Sequence, residues 1–153
     1  MKTQEYIPFI RRAFELAVSA VERGNHPFGA VLVHDGKIVL ESENTVITEQ
    51  DFTRHAELNL VVQASKKFDR AFLETSTLFA STSPCPMCSY AIWSVGVKRI
   101  IYGVSYETFA NLITFKPKYI TCEQIFQQLG SESEIVGGVL EEEGVRVYEH
   151  WTK

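Results

Sequence analysis

The sequence predicts an α/β fold that forms a single domain over residues 1–153. Short apolar runs typical of buried strands alternate along the chain with longer segments whose apolar side chains recur at helical spacing. A chain of 153 residues can bury a full core, and neither a linker nor a repeat divides it. Two polar motifs stand at helix starts near the ends of strands, where ligands gather in open α/β sheets.

The first predicted element is a helix from residue 4 to about residue 23. Charged side chains fall between its apolar positions, as in a helix that packs one face on a core. Pro8 suits the first turn, which needs no N–H, and Gly24 ends the helix. The apolar positions are Ile7, Ile10, Phe14, Ala17, Val18 and Val21.

A β-hairpin is predicted next. The continuous apolar run at 30–34 is typical of a buried strand, Asp35–Gly36 is a turn signal, and residues 37–43 form the return strand. Asn44 follows the return strand, at a place where an asparagine most often forms a turn. Residues 45–53 are expected to be a polar loop.

Two helices and two strands are predicted in the middle of the chain. The helices are expected at 54–67, with Thr53 as N-cap, and at 86–95, with Gly96 at the end. The strands are expected at 77–82 and 98–104.

The last third of the sequence is less regular. No element is predicted in 105–120, whereas a Thr-x-x-Gln capping box indicates a helix at 121–129. Residues 144–149 alternate like a strand, but they also fit a helix, in which case the fifth strand would be 133–137. The side chains that would share the face of that last helix are Leu140, Val147, Tyr148 and Trp151.

The strongest chemical signal comes from Cys85 and Cys88, three positions apart with Pro86 between them. Because Pro86 suits a first helical turn, Cys85 is expected near the N-cap and Cys88 one turn in, with both sulfurs aimed at one point. A helix N-terminus also favours thiolates. Two thiolates at this spacing are typical ligands of zinc.

Upstream, His55-Ala-Glu57 supplies a third ligand and a carboxylate. One imidazole and two thiolates leave the fourth position of a tetrahedral zinc ion for water, whose pKa the metal lowers to about 7. Glu57 stands beside a ligand without being one, where it can take a proton from that water and pass it to a reacting ring. His-x-Glu followed by Pro-Cys-x-x-Cys is the signature of zinc deaminases.

Each motif alone has a plainer interpretation. Cys-x-x-Cys can be a redox pair or half of a structural zinc knuckle, and His-x-Glu usually lies on a helix surface. A structural zinc site needs a fourth protein ligand, but none of the other thiols and imidazoles repeats a ligand spacing. These residues are Cys122, His26, His34 and His150. Cys122 is expected to be a buried, inert thiol.

Composition argues against several classes of protein. Apolar residues make up 45% and charged residues 22% of the chain, as in an ordinary soluble domain. The net charge of −4 argues against a broad nucleic-acid surface. Three cysteines make no disulfide framework and fit a cytoplasmic protein, and neither a secretory signal nor a membrane span is predicted.

Nearly the whole chain resembles the cytidine-deaminase superfamily, in the branch with bacterial guanine deaminase, tRNA adenosine deaminase and yeast-type cytosine deaminase. The resemblance implies a three-layer α/β/α sandwich with a five-stranded mixed sheet, a C-terminal helix and commonly a homodimer. It implies one zinc ion per chain, held by His55, Cys85 and Cys88, with Glu57 as the proton shuttle. The segments that carry it are Pro27-Phe-Gly-Ala-Val-Leu-Val33, Asn44, His55-Ala-Glu57 and Pro84-Cys-Pro-Met-Cys88.

The resemblance also implies substrate contacts. Asn44 corresponds to an asparagine whose amide binds the substrate ring, and Ala56 to a backbone contact with the base. Phe28 corresponds to an aromatic that packs on the base in guanine deaminases, although a core role fits it equally well. Arg54 departs from the family's usual alanine before the histidine, and we expect it to meet a surface carboxylate rather than the substrate.

Three functions follow as hypotheses. The first is a zinc-dependent hydrolytic deaminase of a free nucleobase or small nucleoside, with guanine or a related 2-amino ring (isocytosine-like) first and cytosine or cytidine second. The second is an adenosine editor acting on tRNA, which the acidic balance and the absence of a recognisable segment in 105–120 disfavour. The third is a non-enzymatic zinc-binding module, which requires a closed four-ligand site.

Overall fold

The computed structural model describes residues 3–113 and 119–151, and a five-stranded mixed sheet lies at its centre. The strands are β1 (Gly29–His34), β2 (Lys37–Glu43), β3 (Thr77–Thr82), β4 (Arg99–Val104) and β5 (Glu134–Val136). Their order is β2-β1-β3-β4-β5. β1 pairs antiparallel with β2 and β3, whereas β4 runs parallel to β3 and β5.

Helices cover both faces of the sheet. They are α1 (Thr3–Glu22), α2 (Val46–Glu49), α3 (Ala56–Lys67), α4 (Arg70–Glu74), α5 (Pro86–Val95), α6 (Tyr106–Leu112), α7 (Cys122–Gln128), α8 (Glu141–Gly144) and a 3-10 helix (Val145–Tyr148). α1 and the 3-10 helix pack on one face, and α3, α5 and α7 on the other. The expected three-layer α/β/α sandwich is therefore confirmed.

Alternation along β1 divides the core between the two faces. Ala30 and Leu32 pack with α3, whereas Val31 and Val33 pack with α1. All four are buried, because the strand has a helix layer on each side. This explains why the strand appears in the sequence as a continuous apolar run.

The prediction that Thr53 is the N-cap of α3 is wrong. The helix begins two residues later than predicted, and its N-cap is His55. Thr53 donates its N–H and its hydroxyl to Oδ1 of Asp51, at 2.9 and 2.6 Å. The hydroxyl that would have capped the helix is used in this preceding turn. As a result, His55 stands at the helix start and Glu57 in the first turn.

Three short helices are not predicted by the sequence. α2 lies in the expected polar loop and α6 lies within 105–120, of which residues 114–118 fall outside the described residues. None of the three is long enough to show an apolar period. Asp69 and Ser105 cap α4 and α6 by accepting a backbone N–H, which is the local signal that could have revealed them.

The C-terminal segment is helical, so its interpretation as a strand is wrong and the helical one is confirmed. β5 falls within the predicted range 133–137, and the capping box of α7 is present. The other predicted elements agree within about two residues. No helix in the described part of the chain has both the length and the apolar character to cross a membrane.

Candidate active site

The start of α5 presents two sulfurs. Cys85 is its N-cap, with extended backbone (φ −70°, ψ 170°), and Pro86 occupies the first turn as predicted. The Sγ of Cys85 accepts the N–H of Cys88 at 3.5 Å. The turn from β3 into α5 therefore holds the two sulfurs side by side.

The start of α3 brings an imidazole to the same place. His55 donates its N–H to the carbonyl of Thr53 at 2.8 Å, and its Nδ1 lies 3.5 Å from the Sγ of Cys85. The hydrogen bond with Cys85 is the main cause that raises the pKa of His55, against the effect of burial. The imidazole and the first sulfur are therefore in direct contact.

His55, Cys85 and Cys88 together form a donor group that fits zinc. Their ligating atoms all lie within 4.8 Å of one another, and among the described residues no other histidine, cysteine or carboxylate joins them. Bonds of about 2.0–2.3 Å to a tetrahedral zinc ion put two ligands about 3.5 Å apart, as Nδ1 and Sγ are here. One imidazole and two sulfurs are also the ligand types that zinc prefers.

The pKa values of the two thiols shift in opposite directions. The hydrogen bond from Cys88, followed by that from His55, lowers the pKa of Cys85 well below its ordinary value. The hydrogen bond to Cys85 and burial raise the pKa of Cys88. The sulfur at the helix N-terminus is therefore the more anionic one, as a helix start favours.

Glu57 lies beside the donor group but outside it. Its side chain is 6% exposed. Burial is the main cause that raises its pKa to about 7, and the negative charge of Cys85 adds to the effect, whereas His55 opposes it. A carboxyl with this pKa can both accept and donate a proton near neutral pH.

Asn44 is 1% exposed and its amide has a fixed orientation. Oδ1 accepts the N–H of Val46 at 3.0 Å and that of His26 at 3.4 Å. The first contact is the turn expected of a loop asparagine. Because Oδ1 is used and the described residues offer Nδ2 no hydrogen bond, the NH₂ group remains free to donate to a ligand.

Phe28 belongs to an aromatic group that the sequence does not reveal. Its ring lies edge to face with those of Phe109, Tyr148 and Trp151, at centroid distances of 5.6, 6.4 and 6.0 Å. The hydroxyl of Tyr148 hydrogen-bonds Thr82 Oγ1 at the end of β3. The group therefore stands at the strand end that leads to the two sulfurs. The spacing of Tyr148 and Trp151, three apart in a helical segment, is the one signal that could have suggested them.

The structure also locates Ala56, Arg54 and Cys122, the other residues discussed in the sequence analysis. Ala56 is fully buried in the first turn of α3. Nε of Arg54 lies 3.2 Å from Oδ2 of Asp51, so the expected carboxylate partner is confirmed. Cys122 is fully buried, and burial raises its pKa to about 12, which makes it an unreactive thiol.

Comparisons with known proteins agree with this geometry. The family model described as "Cytidine and deoxycytidylate deaminase zinc-binding region" matches residues 2–104. The "Probable cytosine deaminase" of Schizosaccharomyces pombe is 33% identical over 147 residues, which cover 94% of this chain and 90% of that protein. The guanine deaminase of Bacillus subtilis is 39% identical over 104 residues, 67% of each chain.

A solved structure from work on A-to-I editing by tRNA:A34 deaminases has a TM-score of 0.72 and 26% sequence identity, and the match covers 92% of this chain and 99% of that one. Proteins named for three different substrates thus all match most of the chain. The region that the family model matches contains the whole donor group. The chain therefore belongs to the cytidine and deoxycytidylate deaminase family and is a deaminase whose His55, Cys85 and Cys88 are grouped for one zinc ion.

Proposed function

We propose that the protein is a zinc-dependent hydrolytic deaminase of a free nucleobase or small nucleoside, with guanine or a related 2-amino ring as its first substrate class. The observation that carries the proposal is a buried carboxyl, Glu57, beside three zinc donors to which it does not belong. A structural zinc site has four protein ligands and no use for such a carboxyl.

The chemistry assigns a task to each group. His55, Cys85 and Cys88 would hold the zinc ion, which would supply an activated water for attack on the amine-bearing carbon of the ring. Glu57 can take up the proton that the water releases, because burial raises the pKa of its carboxyl and so suits it to both hold and give up a proton. It delivers protons to the ring nitrogen and the departing amine, so ammonia leaves and a carbonyl remains.

A small planar substrate is supported by Asn44 and by the aromatic group. The NH₂ of Asn44 can donate to an acceptor on a base, since the bonds to Oδ1 fix its direction. Ala56, in the same turn as Glu57, would offer a backbone contact. The rings around Phe28 supply the flat apolar wall on which a base packs. By resemblance, an aromatic at the position of Phe28 packs on the base in guanine deaminases, which puts guanine first.

Two alternatives have their own support. The similarity to the Schizosaccharomyces pombe relative favours cytosine, which belongs to the same class of small substrates. The match to a protein from work on tRNA editing, which spans 99% of that chain, favours adenosine in tRNA. The net charge of −4 weighs against this second alternative, because tRNA binding draws on a basic surface.

Ammonia release from a panel of substrates tests the proposal. The zinc-loaded protein is incubated with guanine, isocytosine, cytosine, cytidine and adenosine, and separately with tRNA, in which inosine is measured. The value of kcat/KM for guanine or isocytosine should exceed that for the other compounds at least about tenfold. Inosine formation in tRNA without ammonia release from any free base or nucleoside would contradict the proposal. Glu57→Gln protein, purified in parallel, controls for contaminating deaminases.

We also expect a homodimer, as the resemblance implies. Light scattering on the zinc-loaded protein should give twice the mass of one chain. A single-chain mass at micromolar concentration would contradict this expectation.

A further inference from the structure

His26 joins three parts of the chain that are far apart in sequence. Its Nδ1 accepts a hydrogen bond from Nε1 of Trp151 at 3.1 Å, and the two rings meet edge to face at 5.5 Å. Its backbone N–H donates to Oδ1 of Asn44 at 3.4 Å, and its carbonyl accepts the N–H of Phe28 at 2.9 Å. One residue thus contacts the C-terminal indole, the buried amide and the aromatic group.

The hydrogen bond from Trp151 requires a neutral His26. An imidazole nitrogen accepts only when the ring proton is on the other nitrogen. Burial lowers the pKa of His26. The Nδ1 lone pair is therefore available to the indole N–H at neutral pH.

Trp151 in turn completes the ring set around Phe28. Its indole is nearly parallel to the ring of Phe109, with an interplanar angle of 18° and centroids 6.2 Å apart. The same indole lies 6.2 Å from the ring of Tyr148. The bond to His26 adds a directional contact to this ring packing, because it points Nε1 of the indole at Nδ1.

We propose that His26 is a positioning residue, which fixes Trp151 as a wall of the substrate site and sets the Asn44 amide through its own backbone N–H. This rests on the proposed function, since it takes Asn44 and Phe28 as groups that contact the substrate ring. Substrate affinity then depends on a hydrogen bond, from Trp151 to His26, between two residues that lie outside the reacting centre.

Kinetics of Trp151→Phe test the positioning role. This substitution keeps an aromatic ring and removes the N–H. KM should rise about five- to tenfold, the effect of one lost hydrogen bond. The value of kcat should stay within about twofold, and the zinc content should not change, because the donor group and Glu57 are untouched. Trp93→Phe is the matched control, since Trp93 is also half-buried but contacts Tyr90 on α5, and it should leave KM unchanged.

A second measurement needs no substrate. In a Trp93→Phe background Trp151 is the only tryptophan, so acrylamide quenching of its fluorescence reports its exposure. His26→Ala should increase the quenching and shift the emission to longer wavelength. His26→Asn offers a carbonyl oxygen near the place of Nδ1 and should restore both readouts toward the parent values. His150→Ala, an exposed imidazole in the same segment, should change neither.

Each outcome decides a separate point. Unchanged quenching in His26→Ala would overturn the role of His26 in holding Trp151. If quenching increases in His26→Ala but the KM of this variant equals that of the parent protein, the role of His26 in substrate binding is overturned. If the parent protein deaminates none of the panel, the proposed function fails, and the quenching result alone upholds or overturns the contact between His26 and Trp151.

Discussion

The chemistry of Glu57 comes from where the fold buries it. A glutamate two positions after a histidine usually lies on a helix surface, but here the first turn of α3 faces the start of α5. Water is excluded from the carboxyl, and an anionic sulfur is close enough to disfavour a second negative charge. The same residue on an exposed face would stay ionised and could not donate a proton.

Replacing Glu57 should separate metal binding from turnover. Glu57→Gln keeps the size and burial of the side chain but cannot carry a proton. We expect one zinc ion per chain by elemental analysis and a fall in kcat of about 10²- to 10⁴-fold. Glu132→Gln, at an exposed carboxylate, is the control and should match the parent protein. A kcat within about tenfold of the parent value would remove Glu57 from the mechanism.

Residues of the site were predictable where their geometry is local. Cys85 and Cys88 share one helical turn, so their spacing alone indicates that both sulfurs meet at one point. The partners of Phe28 were not predictable, because Phe109, Tyr148 and Trp151 come from elements that only tertiary packing brings together. His26 was considered only as a metal ligand, since nothing in its neighbourhood in the sequence points to Trp151.

At the scale of elements, the approach of α1 to β1 depends on Gly29. A Cβ atom at this position would lie 2.4 Å from the carbonyl oxygen of Ala13, 2.6 Å from Cβ of Leu16 and 2.7 Å from the backbone N of Ala17. Two of these are backbone atoms of α1, which cannot yield unless the helix moves. The helix therefore packs at a distance that only glycine permits.

Gly29→Ala should be costly for this reason. We expect the free energy of unfolding to fall by about 3 kcal/mol, the upper range for overpacking a core. Gly24→Ala is the control: its Cβ meets open space, so only the left-handed backbone (φ +87°) costs about 1 kcal/mol. Urea unfolding of the zinc-saturated proteins measures both. Equal losses would contradict the steric explanation.

α1 is also tied to β2 by a two-pronged ion pair. Nε and Nη2 of Arg12 donate to the two carboxylate oxygens of Glu41, at 2.6 and 2.9 Å. The hydrogen bonds from Arg12 are the main cause that lowers the pKa of Glu41. Because the folded-state pKa lies below the unfolded one, the pair stabilises the protein above about pH 4.3, the ordinary pKa of glutamate. That stabilisation is lost as the pH falls through the folded-state value.

Glu41→Gln should therefore destabilise the protein in a pH-dependent way. Both side chains are 37% exposed, so solvent screening limits the loss to at most about 1 kcal/mol at pH 7. The difference from the parent protein should vanish in acid, where Glu41 is protonated in both states. Urea titrations at several pH values measure this difference in the free energy of unfolding. Glu22→Gln, on the exposed face of α1, is the control. A difference that persists in acid would contradict the ion-pair explanation.

At the scale of the molecule, we expect zinc binding and folding to be separable. Apolar clusters fill both faces of the sheet, whereas the zinc donors lie only in the layer of α3 and α5. A chain with this much buried apolar surface does not need a metal to fold, in contrast to a zinc knuckle. The ion should act on stability as a ligand does.

Chelation of zinc should lower stability without unfolding the chain. Free zinc at 1,000 times its dissociation constant would stabilise the protein by about 4 kcal/mol, and a chelator should remove this. We expect a lower Tm, a cooperative transition that persists, and activity that returns when zinc is added back. Calorimetry and circular dichroism measure these. Unfolding on chelation would contradict the expectation that the chain folds without zinc.

The fold could largely be predicted because most of its elements carry their own signal. Strands buried on both faces appear as apolar runs, and α1 is long enough to show its period. α2, α4 and α6 could not be predicted from periodicity, since each has seven residues or fewer. The sheet order was not predictable from pattern either, because it depends on which strands pair across long loops. The resemblance implied a five-stranded mixed sheet, and the order of its strands came only from the structure.

His55 and Cys85 are thirty positions apart in the chain, so the ribosome synthesises the zinc donors at different times. At about 5–20 residues per second, the ribosome releases the imidazole some 2–6 s before the first sulfur. An incomplete nascent chain thus holds only a weak, single-donor site and cannot retain the ion. We therefore expect metal capture to wait until β3 and the start of α5 have left the exit tunnel, so that a loaded chain already has β1, β2 and β3.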